Sequence, residues 1–171
     1  MRKSGALALV FLATVVCLAQ GDRGPSTRAE RDRAVKVTHA LEQDPLSPTL
    51  RADREWLFKW IVDIPDISIS VCVDPVESSG RYKYNNELMK QKMFSSATFI
   101  IENSARNRDD LSIETAGVEG ALKAYEAILK REPRAHSSYW DGLLKKRADG
   151  TLHDYVANYM EQACGSEQTR T

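Results

Sequence analysis

A chain of 171 residues with 24 basic and 24 acidic side chains is the size of one domain and favours neither sign of charge. That balance excludes the electrostatic footprint nucleic acid requires, and no basic stripe is present for an anionic membrane surface. With 42% apolar residues, no low-complexity tract and no internal repeat, the chain reads as globular.

Met1-Arg2-Lys3 forms a short positive end, followed by 13 residues from Ala6 to Leu18 broken only by Thr14. A bilayer-spanning helix needs about 20 apolar residues, so this run is too short for one and has the length of a signal-peptide core. Cys17-Leu18-Ala19 offers small residues at −3 and −1, which places cleavage between Ala19 and Gln20. An uncut anchor would need a longer run. A lipoprotein acylated on Cys17 would need a small residue where Thr14-Val15-Val16 stand. The expected division is a signal peptide over 1–19, a flexible leader over 20–27, one helical domain over 28–165 and a disordered tail over 166–171. The mature chain is expected to be exported and soluble, periplasmic or secreted, and not an integral membrane protein. Cleavage removes Arg2 and Lys3, leaving 22 basic against 24 acidic residues.

Two cysteines remain, Cys72 and Cys164. In an exported chain an even, small number of cysteines predicts a disulfide. Closing a loop of about 90 residues is worth about 4–5 kcal/mol in the loop-entropy model.

Arg28 to Gln43 carries Ala34, Val37, Ala40 and Leu41 among many charges, an amphipathic helix that Asp44-Pro45-Leu46-Ser47-Pro48 must end. Thr49 then suits an N-cap, before a helix with Trp56, Leu57, Trp60 and Ile61 on its face. Trp56 and Trp60, at i, i+4, lie one above the other and read as core or as the lining of a pocket. Pro65 stops that helix. In Ile67-Ser68-Ile69-Ser70-Val71-Cys72-Val73 apolar and small residues alternate, the period of a strand. No second strand exists to pair with it, so residues 67–73 read as an extended segment laid over helices, or as a helix imposed by context.

Tyr82 to about Ser104 predicts the longest helix, and Ser112 to Arg131 the next, ended by Pro133. Gly117 and Gly120 within it cost helix stability and suggest close approach of a neighbouring helix. Ser138 begins a short helix that includes Trp140 and Leu143. Thr151 with Asp154 resembles a capping box opening the last helix, which ends near Cys164. The fold expected is an all-α bundle of five or six amphipathic helices.

Ala121, Tyr125 and Pro133 resemble the second helix of a tetratricopeptide repeat, and Ala40 with Pro45 its closing turn. The Trp, Leu, Gly and Tyr of that repeat's first helix are missing, and the spacing of the two prolines does not fit the roughly 34-residue period. The resemblance is one of chance between amphipathic helices.

Chemistry-bearing motifs are absent. His39, His136 and His153 stand alone, and none makes a His-Glu-x-x-His spacing. There is no Gly-rich phosphate loop, Cys-x-x-Cys or Gly-x-Ser-x-Gly elbow, so no cofactor, metal or catalytic residue is assigned. Asp63, Asp66, Asp74 and Glu77 do not have calcium-loop spacing and read as solvated acids. Glu119–Lys123 and Glu126–Lys130 have the i, i+4 spacing of helix-supporting ion pairs. Two functions stay open. One is a non-enzymatic binding module of the cell envelope whose partner is an unknown protein or a small apolar ligand. The alternative is a small exported hydrolase or lyase whose site assembles only in the fold, with His136 or His153 beside an acid in a cleft.

Overall fold

A computed structural model describes residues 23–70, 82–103 and 109–164. Among the described residues six helices follow in chain order: α1 (Arg28–Gln43), α2 (Arg51–Asp63), α3 (Asn85–Glu102), α4 (Asp110–Arg131), α5 (Ser138–Ala148) and α6 (Leu152–Ala163). No strand occurs among the described residues, and the fold is the expected all-α bundle. None of these helices is long and apolar enough to cross a membrane. The proposed signal peptide, the end of the extended segment from Val71 on, Cys72, Asp74, Glu77 and the tail after Cys164 lie outside the described residues.

The spine is α3 against α4. Ser96 bonds Ile113 near one end and the Tyr82 ring meets Tyr125 near the other, so the two helices run antiparallel. Gly117 and Gly120 are what allow this approach. A Cβ at Gly117 would lie 2.3 Å from Ser96 Oγ and 2.9 Å from the Lys92 carbonyl oxygen. One at Gly120 would lie 1.8 Å from Ser95 Oγ and 2.3 Å from its Cβ. Two apolar clusters form along this spine. Leu88, Leu122, Tyr125, Trp140, Leu143 and Val156 anchor the cluster under α5 and α6. Val37, Leu41, Leu57, Trp60, Phe94 and Ile100 anchor the other, under α1 and α2.

Several local expectations change. Leu50, not Thr49, caps α2, and Thr49 Oγ1 instead meets Ser47 Oγ at 2.9 Å. Thr151 makes no capping bond, its hydroxyl donating to the Lys146 carbonyl, and Ser137 precedes α5 without a side-chain cap. A full capping box stands at Thr27 and Glu30 instead. Tyr82 to Tyr84 form a turn, so α3 begins at Asn85 and α4 is the longest helix. It is capped by Asp109, which accepts from the Ser112 backbone and hydroxyl. Lys123 reaches Glu42 on α1 and Arg147 takes both Glu119 and Glu126, so tertiary partners replace the expected i, i+4 pairs.

Residues 64–70 are irregular, and the apolar alternation does orient them. Ile64 and Ile67 are buried, Ile69 packs on the second cluster, and Ser68 and Ser70 are exposed. With no strand among the described residues to complete a ladder, the segment stays irregular and packs its isoleucines on the second cluster. Asp66 fastens it, accepting from the Ser26 amide and hydroxyl, both at 2.8 Å, and from Arg31 at 2.7 Å. Burial acts to raise the Asp66 carboxyl, but the Ser26 and Arg31 bonds outweigh it and hold it down at about 2, against an ordinary 3.8. A depressed carboxyl stabilises the fold above its unfolded value and ceases to as pH falls through the folded one. Urea melts should therefore show wild type losing stability between pH 4 and pH 2. Asp66→Asn should be weaker by about 1 kcal/mol at pH 7 and should lack most of that acid limb.

Candidate functional site

The strongest candidate is an apolar pocket of about 200 Å³ between α2, α3, α4 and the segment before residue 71. Met89 and Met93, one turn apart on α3, form one wall, and Phe58 of α2 with Ile69 forms another. Phe58 is 42% exposed and sits at the rim, with the Lys90 ammonium 5.5 Å from its ring centre. Lys92, Ser96 and Glu114 also line the pocket.

Lys92 and Glu114 are an ion pair with Nζ and Oε1 at 2.6 Å, their side chains 4% and 3% exposed. The arrangement follows from the glycines. With no side chain at Gly117, α4 lies directly on the Lys92 backbone and Ser96, and Glu114 one turn earlier comes opposite the Lys92 ammonium. The Tyr159 hydroxyl of α6 donates to the same carboxylate oxygen, and the Lys92 ammonium lies 5.5 Å from the Tyr159 ring centre. Burying two charges is costly unless each is paired and hydrogen-bonded, and here both conditions hold. A charged pair at an otherwise apolar pocket supplies orientation to whatever enters.

The sequence did not single out Lys92 or Glu114, although a signal was present. Leu88, Lys92 and Ser96 are spaced i, i+4 along one stripe of α3, and Glu114 shares a stripe with the buried Val118 and Ala121 of α4. A charge at a core register position needs a partner, and two such helices in succession invite pairing.

The tryptophans belong to the core. Trp60 is 2% exposed, and Trp56 stacks on it at 5.8 Å with the Arg33 guanidinium 3.8 Å above. Neither lines the apolar pocket. Cys164 caps α6, half-buried against the first cluster.

The histidines differ in setting. His136 Nδ1 is 3.1 Å from Asp141 Oδ1, but the buried Tyr125 donates its hydroxyl to the same oxygen at 2.8 Å. Burial, and then the Asp141 bond, push the Tyr125 phenol well above its ordinary value, so it stays a donor. Asp141 thus orders the entry to α5, where the Ser137 amide donates to Tyr125. His153 lies 3.8 Å from Asp154, and both are well exposed. His39, by contrast, meets buried Glu42 at 3.2 Å and Glu102 at 3.4 Å beside a cleft. Of the acids expected to be solvated, Asp63 pairs with Lys59, whereas Asp66 departs from the expectation, its side chain being 22% exposed and bonded to Ser26 and Arg31. Among the described residues, no group of three or more His, Cys, Asp or Glu is placed to hold a metal ion.

No family model, curated protein or solved structure matches the chain.

Proposed function

We propose that the chain is exported and that its mature form is a non-enzymatic binding module of the cell envelope, taking a small apolar ligand between α2, α3 and α4. The observation that carries the reading is an apolar pocket with the buried Lys92–Glu114 pair in its lining. Its volume, about 200 Å³, is small beside pockets for drug-sized molecules and suits a short hydrocarbon chain or a single ring. Met89 and Met93 supply unbranched, polarisable walls that adapt to the ligand's shape. The ligand expected is an uncharged apolar body ending in one hydroxyl or amide, the Glu114 carboxylate being the acceptor for its proton. Export rests on the positive end and 13-residue apolar run at the N-terminus.

Calorimetric titration of the mature protein with 1-octanol tests the reading. Saturable binding is expected, weakened at least tenfold by Met93→Trp, which fills the pocket, with an unchanged circular-dichroism melt. Val62→Ser, on the exposed face of α2, should leave it unaltered. No binding to wild type, or equal binding to Met93→Trp, would reject the assignment.

The same reading includes a Cys72–Cys164 cross-link. In its favour, Cys17 would leave with the signal peptide, so the exported chain would keep an even pair of cysteines in an oxidising compartment. Non-reducing peptide mapping of exported material should recover the Cys72 and Cys164 peptides joined; free thiols at both positions would exclude the link.

A further inference from the structure

On another side of the α3–α4 spine, α1, α3 and α4 enclose a cleft of about 270 Å³ whose chemistry is unlike that of the apolar pocket. Each helix contributes one carboxylate to it: Glu42 from α1, Glu102 from α3 and Glu119 from α4. Glu42 is the anchored one. Its side chain is 6% exposed, one oxygen accepts from Ser95 at 3.2 Å, and the other meets Lys123 at 3.1 Å and His39 at 3.2 Å. Glu102 and Glu119 are 46% and 37% exposed and stand toward solvent. Glu119 also pairs with Arg147 at 3.8 Å and Glu102 with His39 at 3.4 Å, each carboxylate keeping further acceptor capacity toward the cleft. Among the described residues, Lys123 is the one lysine or arginine in the lining, and it stands with His39 against three carboxylates.

A second observation is independent of these acids. Thr98 also lines the cleft, is only 4% exposed, and its Oγ1 is buried without a hydrogen-bond partner. A buried polar atom left unpaired costs about 1–3 kcal/mol, and an incoming N–H would remove that cost. Phe99, beside it, adds an aromatic side chain of the kind that cations favour. A metal ion is the poorer occupant, because no group of three ligating side chains is placed to hold one among the described residues.

We infer that this cleft is a second binding site, for a small organic cation presenting a primary ammonium or guanidinium group. The cation donates to Thr98 Oγ1 and to the carboxylates of Glu102 and Glu119, with buried Glu42 fixing the negative potential behind them. The site does not depend on the apolar pocket, and occupancy of either is measurable without the other.

The test is a backbone-amide NMR titration of the mature protein with n-butylammonium chloride and n-butylguanidinium chloride, with sodium butyrate as the anionic control. Saturable shifts are expected at Thr98, Phe99, Glu102 and Glu119 with at least one of the two cations, and none with butyrate. The double variant Glu102→Gln, Glu119→Gln should weaken binding about tenfold or more. Thr98→Val should weaken it roughly two- to tenfold, the worth of one hydrogen bond, while leaving the melting temperature unchanged or higher because that hydroxyl supports nothing in the fold. That last pairing separates a ligand contact from a structural residue. Shifts that fail to saturate with both cations, equal binding of butyrate, or affinities indifferent to all three substitutions would overturn the site.

Discussion

Glu114→Leu is expected to destabilise the protein by about 3–5 kcal/mol, the largest loss any single charged residue here should cause. The substitution is conservative in volume but removes the carboxylate 2.6 Å from the Lys92 ammonium, which is 4% exposed, and puts hydrocarbon in its place. It also removes the bond that the Tyr159 hydroxyl donates to Glu114. Adding Lys92→Met should restore a substantial part of the loss, since it removes the desolvation cost of the buried ammonium that the Glu114 carboxylate had offset. Urea denaturation of the four corners of this cycle should give a coupling above about 2 kcal/mol. Simple additivity would mean the pair is solvated and contributes no internal order.

Gly120→Ala should also destabilise, by about 1–3 kcal/mol or more, although helix propensity alone predicts a gain of about 1 kcal/mol. The new Cβ would fall 2.3 Å from Ser95 Cβ, an atom fixed to the α3 backbone, and 3.0 Å from Glu42 Oε1. No rotamer change relieves a Cβ–Cβ overlap, so α3 and α4 must separate and the Ser95–Glu42 bond must stretch. Gly142→Ala is the matched opposite. It lies inside α5 with nothing within 4 Å of its would-be Cβ, and it should stabilise by up to about 1 kcal/mol. The two substitutions are chemically the same, and their opposite signs in urea midpoint would isolate interhelix contact as the cause.

What could be read from the residues divides along physical lines. Helix ends set by covalent constraint were legible: Asp44-Pro45 ends α1 at Gln43 and Pro65 follows the end of α2, as expected. Gly117 and Gly120 declared a close helix contact because nothing else offsets their cost inside a helix. Caps were less legible. Thr49 and Thr151 satisfy the local rule, but where a helix begins was decided by backbone geometry at Leu50 and by bonds such as that from Thr151 to Lys146. The candidate sites were hidden for a different reason. Gln91 bonds the Thr38 carbonyl and Ser95 bonds Glu42, each 53 residues away in sequence, and Lys92 finds Glu114 across two helices. Local periodicity can mark a charge as misplaced on a core stripe but cannot name its partner. His39 likewise looked isolated: Glu42 stands one helical turn on and was in local reach, but Glu102 arrives only from another helix.

The binding reading is tested most directly by methyl NMR on protein labelled at the methionine methyl groups, titrated with 1-octanol. Met89 and Met93 line the apolar pocket, whereas Met160 packs on the other cluster, under α5 and α6. The Met89 and Met93 signals should move together along one saturation curve while Met160 stays fixed. Movement of Met160 alone, or shifts of all three that rise linearly without saturating, would contradict a ligand site at this position.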